Sequence, residues 1–183
     1  SIEDRVRRVL EELEEVLERI KDSSRRVVEE AEDVLRKLEE ENRKLERDLE
    51  RVLKEIEEEP VDETLVKEVR DLVERLKEIS DESVKRSARL VEELKRRLEE
   101  SSERVDRMAK ELKRRLEEVL RRGGERELEE VEKRLREVLR RLEKHNEDVI
   151  RDLRRLLEEA ADEDRRVIKT LRDVLRELKK RIK

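Results

Sequence analysis

Apolar residues recur along this chain at a spacing of 3.6 residues, and that spacing restricts the possible folds more than any other feature. The pattern covers 54 residues in 15 steps over residues 2–56, and again over 65–119 and over 128–182. In the second stretch the stripe consists of Leu65, Val69, Leu72, Leu76, Ile79, Ser83, Ser87, Leu90, Leu94, Leu98, Ser101, Val105, Met108, Leu112, Leu116 and Val119. Because an α-helix has 3.6 residues per turn, each stretch is predicted to be a helix with one apolar face.

Three residues punctuate this pattern: Pro60, Gly123 and Gly124 are the only proline and glycines in the chain. Proline ends a helix because it lacks an N–H and its ring clashes with the preceding turn, and paired glycines favour a loop. We therefore predict helices over residues 2–58, 63–122 and 125–183, joined by loops at 59–62 and 123–124.

Residues at the predicted helix ends can satisfy backbone groups that a helix leaves unpaired. Ser1, followed by Asp4, is predicted to cap the first helix, and Asp62 is predicted to cap the second through its side-chain oxygen. Where the second helix stops, Gly123 is predicted to adopt the left-handed conformation that ends many helices.

The apolar residues of each helix fill a single arc, about 120–140° wide on a helical wheel. One arc of this width suits a helix that contacts two neighbours. We therefore predict an all-α fold, an antiparallel up-down-up bundle of three helices that forms one domain over residues 1–183. A spacing of 3.6, and not the 3.5 of a left-handed coiled coil, predicts a straight bundle. Since no helix has a second apolar face, we expect a monomer.

Composition narrows the possible functions. The chain is 58% charged and 33% hydrophobic, carries a net charge of −5, and has no aromatic residue and no cysteine. Thiol chemistry is thereby excluded, and a chain without aromatic side chains or a basic face is not expected to bind nucleic acid. No apolar run approaches the roughly 20 residues that span a bilayer, and we recognise no targeting signal. We expect a soluble chain with no membrane partner and an unknown localisation.

Polar residues interrupt the stripe in pairs that are 18 residues apart. The pairs are Ser24 and Asn42, Ser83 and Ser101, and Asn146 and Asp164. Aligned residues of antiparallel helices have numbers that sum to a constant. These pairs give constant sums of 125 between the first two helices and 247 between the last two, so they predict two layers. One layer contains Ser24, Ser101 and Asn146, with Ser23, Ser102 and His145 at its edges; the other contains Asn42, Ser83 and Asp164, with Ser80 and Ser87 nearby.

We interpret the layers as buried hydrogen-bond networks, with Asn42 and Ser83 both directed at Asp164. Such networks fix register, because a shifted alignment would leave polar groups unsatisfied in an apolar core. The alternative is that the serines only thin the packing or face water.

The sequence gives little support for a catalytic site or a metal site. His145 is the only histidine, so a site with two histidines cannot form, and each layer has at most one central carboxylate. Ser101 is expected near His145, but a serine nucleophile also needs an orienting group and an oxyanion hole. We expect no catalytic residue, no metal and no cofactor. His145 is interpreted as a boundary residue of its layer, with a pH switch as the alternative.

The whole chain resembles de novo designed helical bundles built from ideal helix geometry. The resemblance rests on the 18-residue repeat, the Glu/Arg/Lys surface, the short loops at Pro60 and Gly123-Gly124, and the polar layers. It implies a very stable scaffold with no natural activity and no required partner. The acidic run at 57–59 departs from the pattern, because it opposes the helix dipole. Two other interpretations stay open: a natural spectrin-like rod or spacer for protein–protein interaction, and a designed switch that responds to pH or a partner.

Overall fold

A computed structural model describes residues 1–59 and 62–182. It contains three long helices packed against each other, α1 (Ile2–Glu58), α2 (Glu63–Arg122) and α3 (Glu125–Ile182), and no strand in the described residues. This architecture confirms the predicted all-α three-helix bundle. The helix ends lie where the proline and the paired glycines predict them, although Pro60 itself and Lys183 are outside the described residues. No described helix has a stretch that is long and apolar enough to cross a membrane.

The two predicted N-terminal caps are present. The Ser1 hydroxyl accepts the backbone N–H of Asp4 at 3.3 Å, and a carboxylate oxygen of Asp62 accepts that of Thr64 at 3.4 Å. Each bond satisfies one of the N–H groups that the first turn of a helix leaves without a partner. The starts of α1 and α2 are therefore encoded locally.

The prediction for Gly123 is wrong, because neither glycine has a positive φ. The N–H of Gly123 instead donates to the carbonyl oxygen of Val119 at 2.8 Å, and the carbonyl of Gly124 accepts the N–H of Leu128 at 3.3 Å. A Cβ on residue 123 would lie 2.8 Å from that same carbonyl oxygen of Val119. Glycine is required here for close approach of the backbone, and the chain passes from α2 to α3 without a left-handed residue.

Contacts group the chain into two compact units, each built from segments of all three helices. Unit 1 comprises Ser1–Glu29 and Glu93–Arg154, and unit 2 comprises Glu30–Glu92 and Arg155–Lys183. Each unit has its own apolar core. In unit 1 the core includes Val9, Leu13, Val105, Leu116, Leu128 and Leu135. In unit 2 it includes Leu45, Leu49, Val52, Val73, Leu171 and Leu175.

The buried face of α2 differs from the predicted stripe. Leu65, Ile79 and Met108 belong to that stripe but are exposed, Ile79 to 48% and Met108 to 47%. Residues one position further along, such as Val73, Ser80 and Val91, are buried together with stripe residues such as Leu98 and Leu116. Consecutive helical residues are about 100° apart, so the two rows are neighbouring parts of a single arc.

Ion pairs between α1 and α2 report the register of these two helices inside each unit. They are Lys21–Asp106 and Lys113–Glu14 in unit 1, and Arg70–Glu57 and Lys77–Glu50 in unit 2. The residue numbers of every pair sum to 127, which is two more than the 125 of the predicted layers. Half a helical turn separates the two values, so the antiparallel alignment is close to the predicted one.

Candidate functional site

Unit 2 contains a buried carboxylate, that of Asp164, whose residue is only 4% exposed. The hydroxyl of Ser83 donates to Oδ1 of Asp164, and the hydroxyl of Ser87 donates to Oδ2. We call these three residues the Asp164 clamp. Because each carboxylate oxygen has its own donor, the group is compensated for part of its lost hydration.

The clamp follows directly from helix geometry. Ser83 and Ser87 are four residues apart, so both hydroxyls lie on the same face of α2, one turn above the other. Both serines are buried. The bond between Ser83 and Asp164 has the register that the sum of 247 predicts. Ser87, assigned to the vicinity of this layer from the sequence, is a full member of it.

A second network in unit 2 is centred on Asn42. Its side-chain NH2 donates to Oδ1 of Asp81 at 2.9 Å, and its side-chain oxygen accepts the hydroxyl of Ser80. We call these three residues the Asn42 bridge. The prediction that Asn42 points at Asp164 is wrong, since the amide is already bonded at both ends on α2. Ser80 and Asp81 are within one turn of Ser83, so the predicted height is right and the partner differs.

Two carboxyl groups meet at the outer edge of the Asn42 bridge. A hydrogen bond with Asp81, helped by partial burial, raises the pKa of Glu46 to about 7. The same hydrogen bond, together with the one from Asn42, lowers the pKa of Asp81. When the pair holds one proton, that proton resides on Glu46, which donates to the Asp81 carboxylate.

Sequence reasoning missed both acids, although a signal for them exists. The numbers of Glu46 and Asp81 sum to 127, the value shared by the cross-helix ion pairs of α1 and α2. Two acids at positions that elsewhere carry opposite charges are a mismatch that the register alone reveals. Their neighbours along the helices include Lys77, Lys85 and Glu50, which add attraction and repulsion to the pair.

The predicted layer of unit 1 has a different structure. Asn146 is buried at 4% exposure, but Ser24 and Ser101 are only half-buried. Over residues 1–59 and 62–182, no hydrogen bond joins the side chains of these three residues, so the prediction of a closed network is wrong for this layer. Of its predicted edge residues, Ser23 and Ser102 are half-buried and His145 is exposed.

The cause is the spacing of the serines. Ser23 and Ser24 are adjacent on α1, and Ser101 and Ser102 are adjacent on α2. Adjacent residues diverge by about 100°, so each pair straddles the buried arc and neither member lies at its centre. No buried side-chain N or O atom of the described residues lacks a partner. The amide of Asn146 has no side-chain partner in the layer, but none of its atoms is both sealed from solvent and without a partner.

Two grooves, which the sequence did not predict, lie between α2 and α3 of unit 1 beside this layer. The apolar groove has a volume of about 340 Å³ and is lined by Val105, Met108, Val138 and Leu142, together with Ser101, Arg104, Arg141 and His145. The polar groove has a volume of about 240 Å³ and is lined by Arg97, Glu100, Asp152, Val149 and Leu153, together with Ser101, Arg104 and His145. Ser101 and His145 share both grooves, but no hydrogen bond joins them in the described chain.

The chemical options of these sites are narrow. Within the described ranges, no group of three or more His, Cys, Asp or Glu side chains is placed to hold a metal ion. The Asp164 clamp and the Asn42 bridge consist of groups that satisfy one another.

Comparison of this chain with known protein families, with characterised proteins and with solved structures gives no match.

Proposed function

We propose that this protein is an idealised helical scaffold whose function is structural, and that buried polar contacts specify how its helices align. The observation that carries the proposal is the Asp164 clamp, where two hydroxyls of one helix hold both oxygens of a buried carboxylate from another. Such a contact is specific for one register. An apolar layer of Leu and Val side chains accepts several.

The clamp is expected to disfavour misaligned bundles more than it raises the free energy of unfolding of the native one. If α3 moved by one turn along α2, Asp164 would move away from one of its two serine donors, and one carboxylate oxygen would be left without a partner in the core. An unsatisfied buried polar group costs about 1–3 kcal/mol, and more when it is charged. Every shifted alignment carries this penalty, whereas the native one does not. The clamp therefore separates the native bundle from its nearest competitors.

The proposal that the scaffold is designed rests on the 18-residue repeat, the uniform surface and the absence of aromatic residues. The absence of matching families is compatible with it. A high melting temperature and a monomeric state belong to the same proposal, because local propensity, patterning and caps agree with one another. Sedimentation at micromolar concentration is expected to give the monomer mass of 22.4 kDa.

The register function can be tested with disulfide trapping, since the chain has no cysteine of its own. Ile79→Cys with Val167→Cys marks the native alignment of α2 and α3 in unit 2, and Ile79→Cys with Glu163→Cys marks a shift of one turn. Both pairs are placed in the parent chain and in a variant that carries Ser83→Ala, Ser87→Ala and Asp164→Leu.

In the parent, only the native pair is expected to form a disulfide rapidly. In the variant without the clamp, the shifted pair is expected to gain substantially in yield, because the penalty on misalignment has been removed. If the variant traps the native pair as selectively as the parent does, apolar packing alone sets the register and the proposed function is wrong.

A further inference from the structure

The two grooves of unit 1 meet at a polar junction formed by Ser101, Arg104 and His145, which line both of them. On one side of the junction the walls are aliphatic, from Met108 and Val138. On the other side the walls carry charged groups. A site with an apolar end and a polar end matches a ligand that has both characters.

The charged side chains that line the apolar groove are cationic, and no acidic residue lines it. Arg104 lies on the α2 side of this groove and Arg141 on the α3 side. Within the described part of the chain, neither guanidinium has an acidic partner within 4 Å. Acidic residues enter only on the far side of the junction, where Glu100 and Asp152 line the polar groove. An arginine fork without a partner is matched geometrically and electrostatically by a carboxylate.

The length of the apolar groove limits what can occupy it. Its α2 wall runs from residue 101 to residue 108, which is roughly 10 Å at the helical rise of 1.5 Å per residue. That length accommodates a short alkyl chain with its head group but is less than two turns of a helix. A small anionic amphiphile therefore fits this groove better than a partner helix does.

We propose that this groove binds medium-chain aliphatic carboxylates, with the alkyl chain on Met108, Val138 and Leu142 and the carboxylate at Arg104 beside Ser101. The bound carboxylate accepts hydrogen bonds from the guanidinium, and the chain covers the aliphatic side chains that water now contacts. The affinity is modest because the groove is open along one side. This site lies in unit 1 and is independent of the register function proposed for the Asp164 clamp.

Met108 makes the proposal testable, because it is the only methionine in the chain and lines the apolar groove. The ε-methyl resonance of Met108 is followed by NMR in isotope-labelled protein during titration with octanoate below its micelle concentration. Octanol and octyltrimethylammonium serve as probes with the same chain length and a neutral or positive head group. We expect a saturable shift with octanoate, a weaker response with octanol, and none with the cation.

Two arginine variants separate the proposed contact from a general effect of charge. Arg104→Gln is expected to raise the octanoate Kd about tenfold, which corresponds to roughly 1.4 kcal/mol. Arg107→Gln removes the same charge from an exposed position that lines neither groove, and is expected to change the Kd less than twofold. Equal affinities of the two variants, or an equal shift with the cationic probe, would overturn the proposal. A shift that depends on protein concentration alone would place a second copy in the groove and would also overturn it.

Discussion

In unit 2, serines at positions 80, 83 and 87 of α2 all lie on the buried face and donate to an asparagine and an aspartate. In unit 1, the serines at 101 and 102 lie on the two edges of that face and are half-buried. Both layers follow the same 18-residue spacing and combine serine with asparagine, and the layer of unit 2 also contains an aspartate. The comparison teaches that a polar layer closes only when its donors are three or four residues apart, so that they share one direction.

The central polar residue shows the same contrast. Asp164 in unit 2 and Asn146 in unit 1 are equally buried, at 4% exposure. Asp164 has a hydroxyl on each oxygen, whereas Asn146 has no side-chain partner in its layer. The two residues are equally buried but differ in hydrogen bonding, so substitutions at matched positions should change the free energy of unfolding by different amounts in the two layers.

The largest expected difference comes from removing the serine donors of each layer. Ser83→Ala with Ser87→Ala leaves a buried carboxylate without donors, and we expect a loss of about 3–5 kcal/mol in the free energy of unfolding. The matched variant, Ser101→Ala with Ser102→Ala, should change stability by no more than about 0.5 kcal/mol. Denaturant unfolding followed by circular dichroism measures both. Similar losses in the two variants would show that the layers are equivalent.

A smaller difference is expected for the two asparagines. Asn42→Leu deprives Ser80 of its acceptor and Asp81 of a donor, and should cost about 1–3 kcal/mol. Asn146→Leu breaks no bond within its layer and places an apolar side chain in a buried position. We expect it to be neutral or to stabilise by up to about 1 kcal/mol. A destabilising Asn146→Leu in the same unfolding measurement would indicate a network in unit 1 after all.

The smallest effect is a pH dependence confined to unit 2. The pKa of Glu46 is about 7 in the folded chain against an ordinary value of 4.5, so the folded state holds a proton that the unfolded state releases. The stability that this proton contributes is fully present below about pH 4.5 and is lost as the pH rises through 7. After allowance for solvent screening at this partly exposed group, we expect a decrease of about 1 kcal/mol.

Glu46→Gln keeps a donor to Asp81 and cannot ionise, so it should abolish this decrease between pH 5 and pH 8. The corresponding position in unit 1, 18 residues earlier, is Val28 and cannot titrate. Unfolding free energies across this pH range check the prediction. A parent chain whose stability is flat, or rises, from pH 5 to pH 8 would refute the shared proton.

Sequence reasoning predicted the long-range framework because strong local signals specify it. The helix bounds follow from one proline, two glycines and a regular apolar period, and the pairing of Ser83 with Asp164 follows from the 18-residue spacing. Both depend only on helix geometry, which is the same for every side chain. The number and type of the helices are therefore readable from this chain.

The wrong predictions about which side chains are buried involve the rotation of a helix about its axis. Two neighbouring rows of apolar residues on α2 have the same period, and the period does not tell which row is central. For that reason Ile79 and Met108 were expected in the core, and Ser101 was expected at the centre of its layer. The meeting of Glu46 with Asp81 also depends on rotation. The prediction of a left-handed conformation at Gly123 was wrong for another reason. Close approach of the backbone to a carbonyl oxygen requires glycine just as a positive φ does.

Double-mutant cycles that pair the central residue of each layer with its serines test most directly whether only one layer is a network. The first cycle combines Asp164→Leu with Ser83→Ala and Ser87→Ala, and the second combines Asn146→Leu with Ser101→Ala. We predict a coupling energy of about 1–3 kcal/mol in unit 2 and a coupling indistinguishable from zero in unit 1. Equal coupling energies in the two cycles, or a larger one in unit 1, would contradict the account.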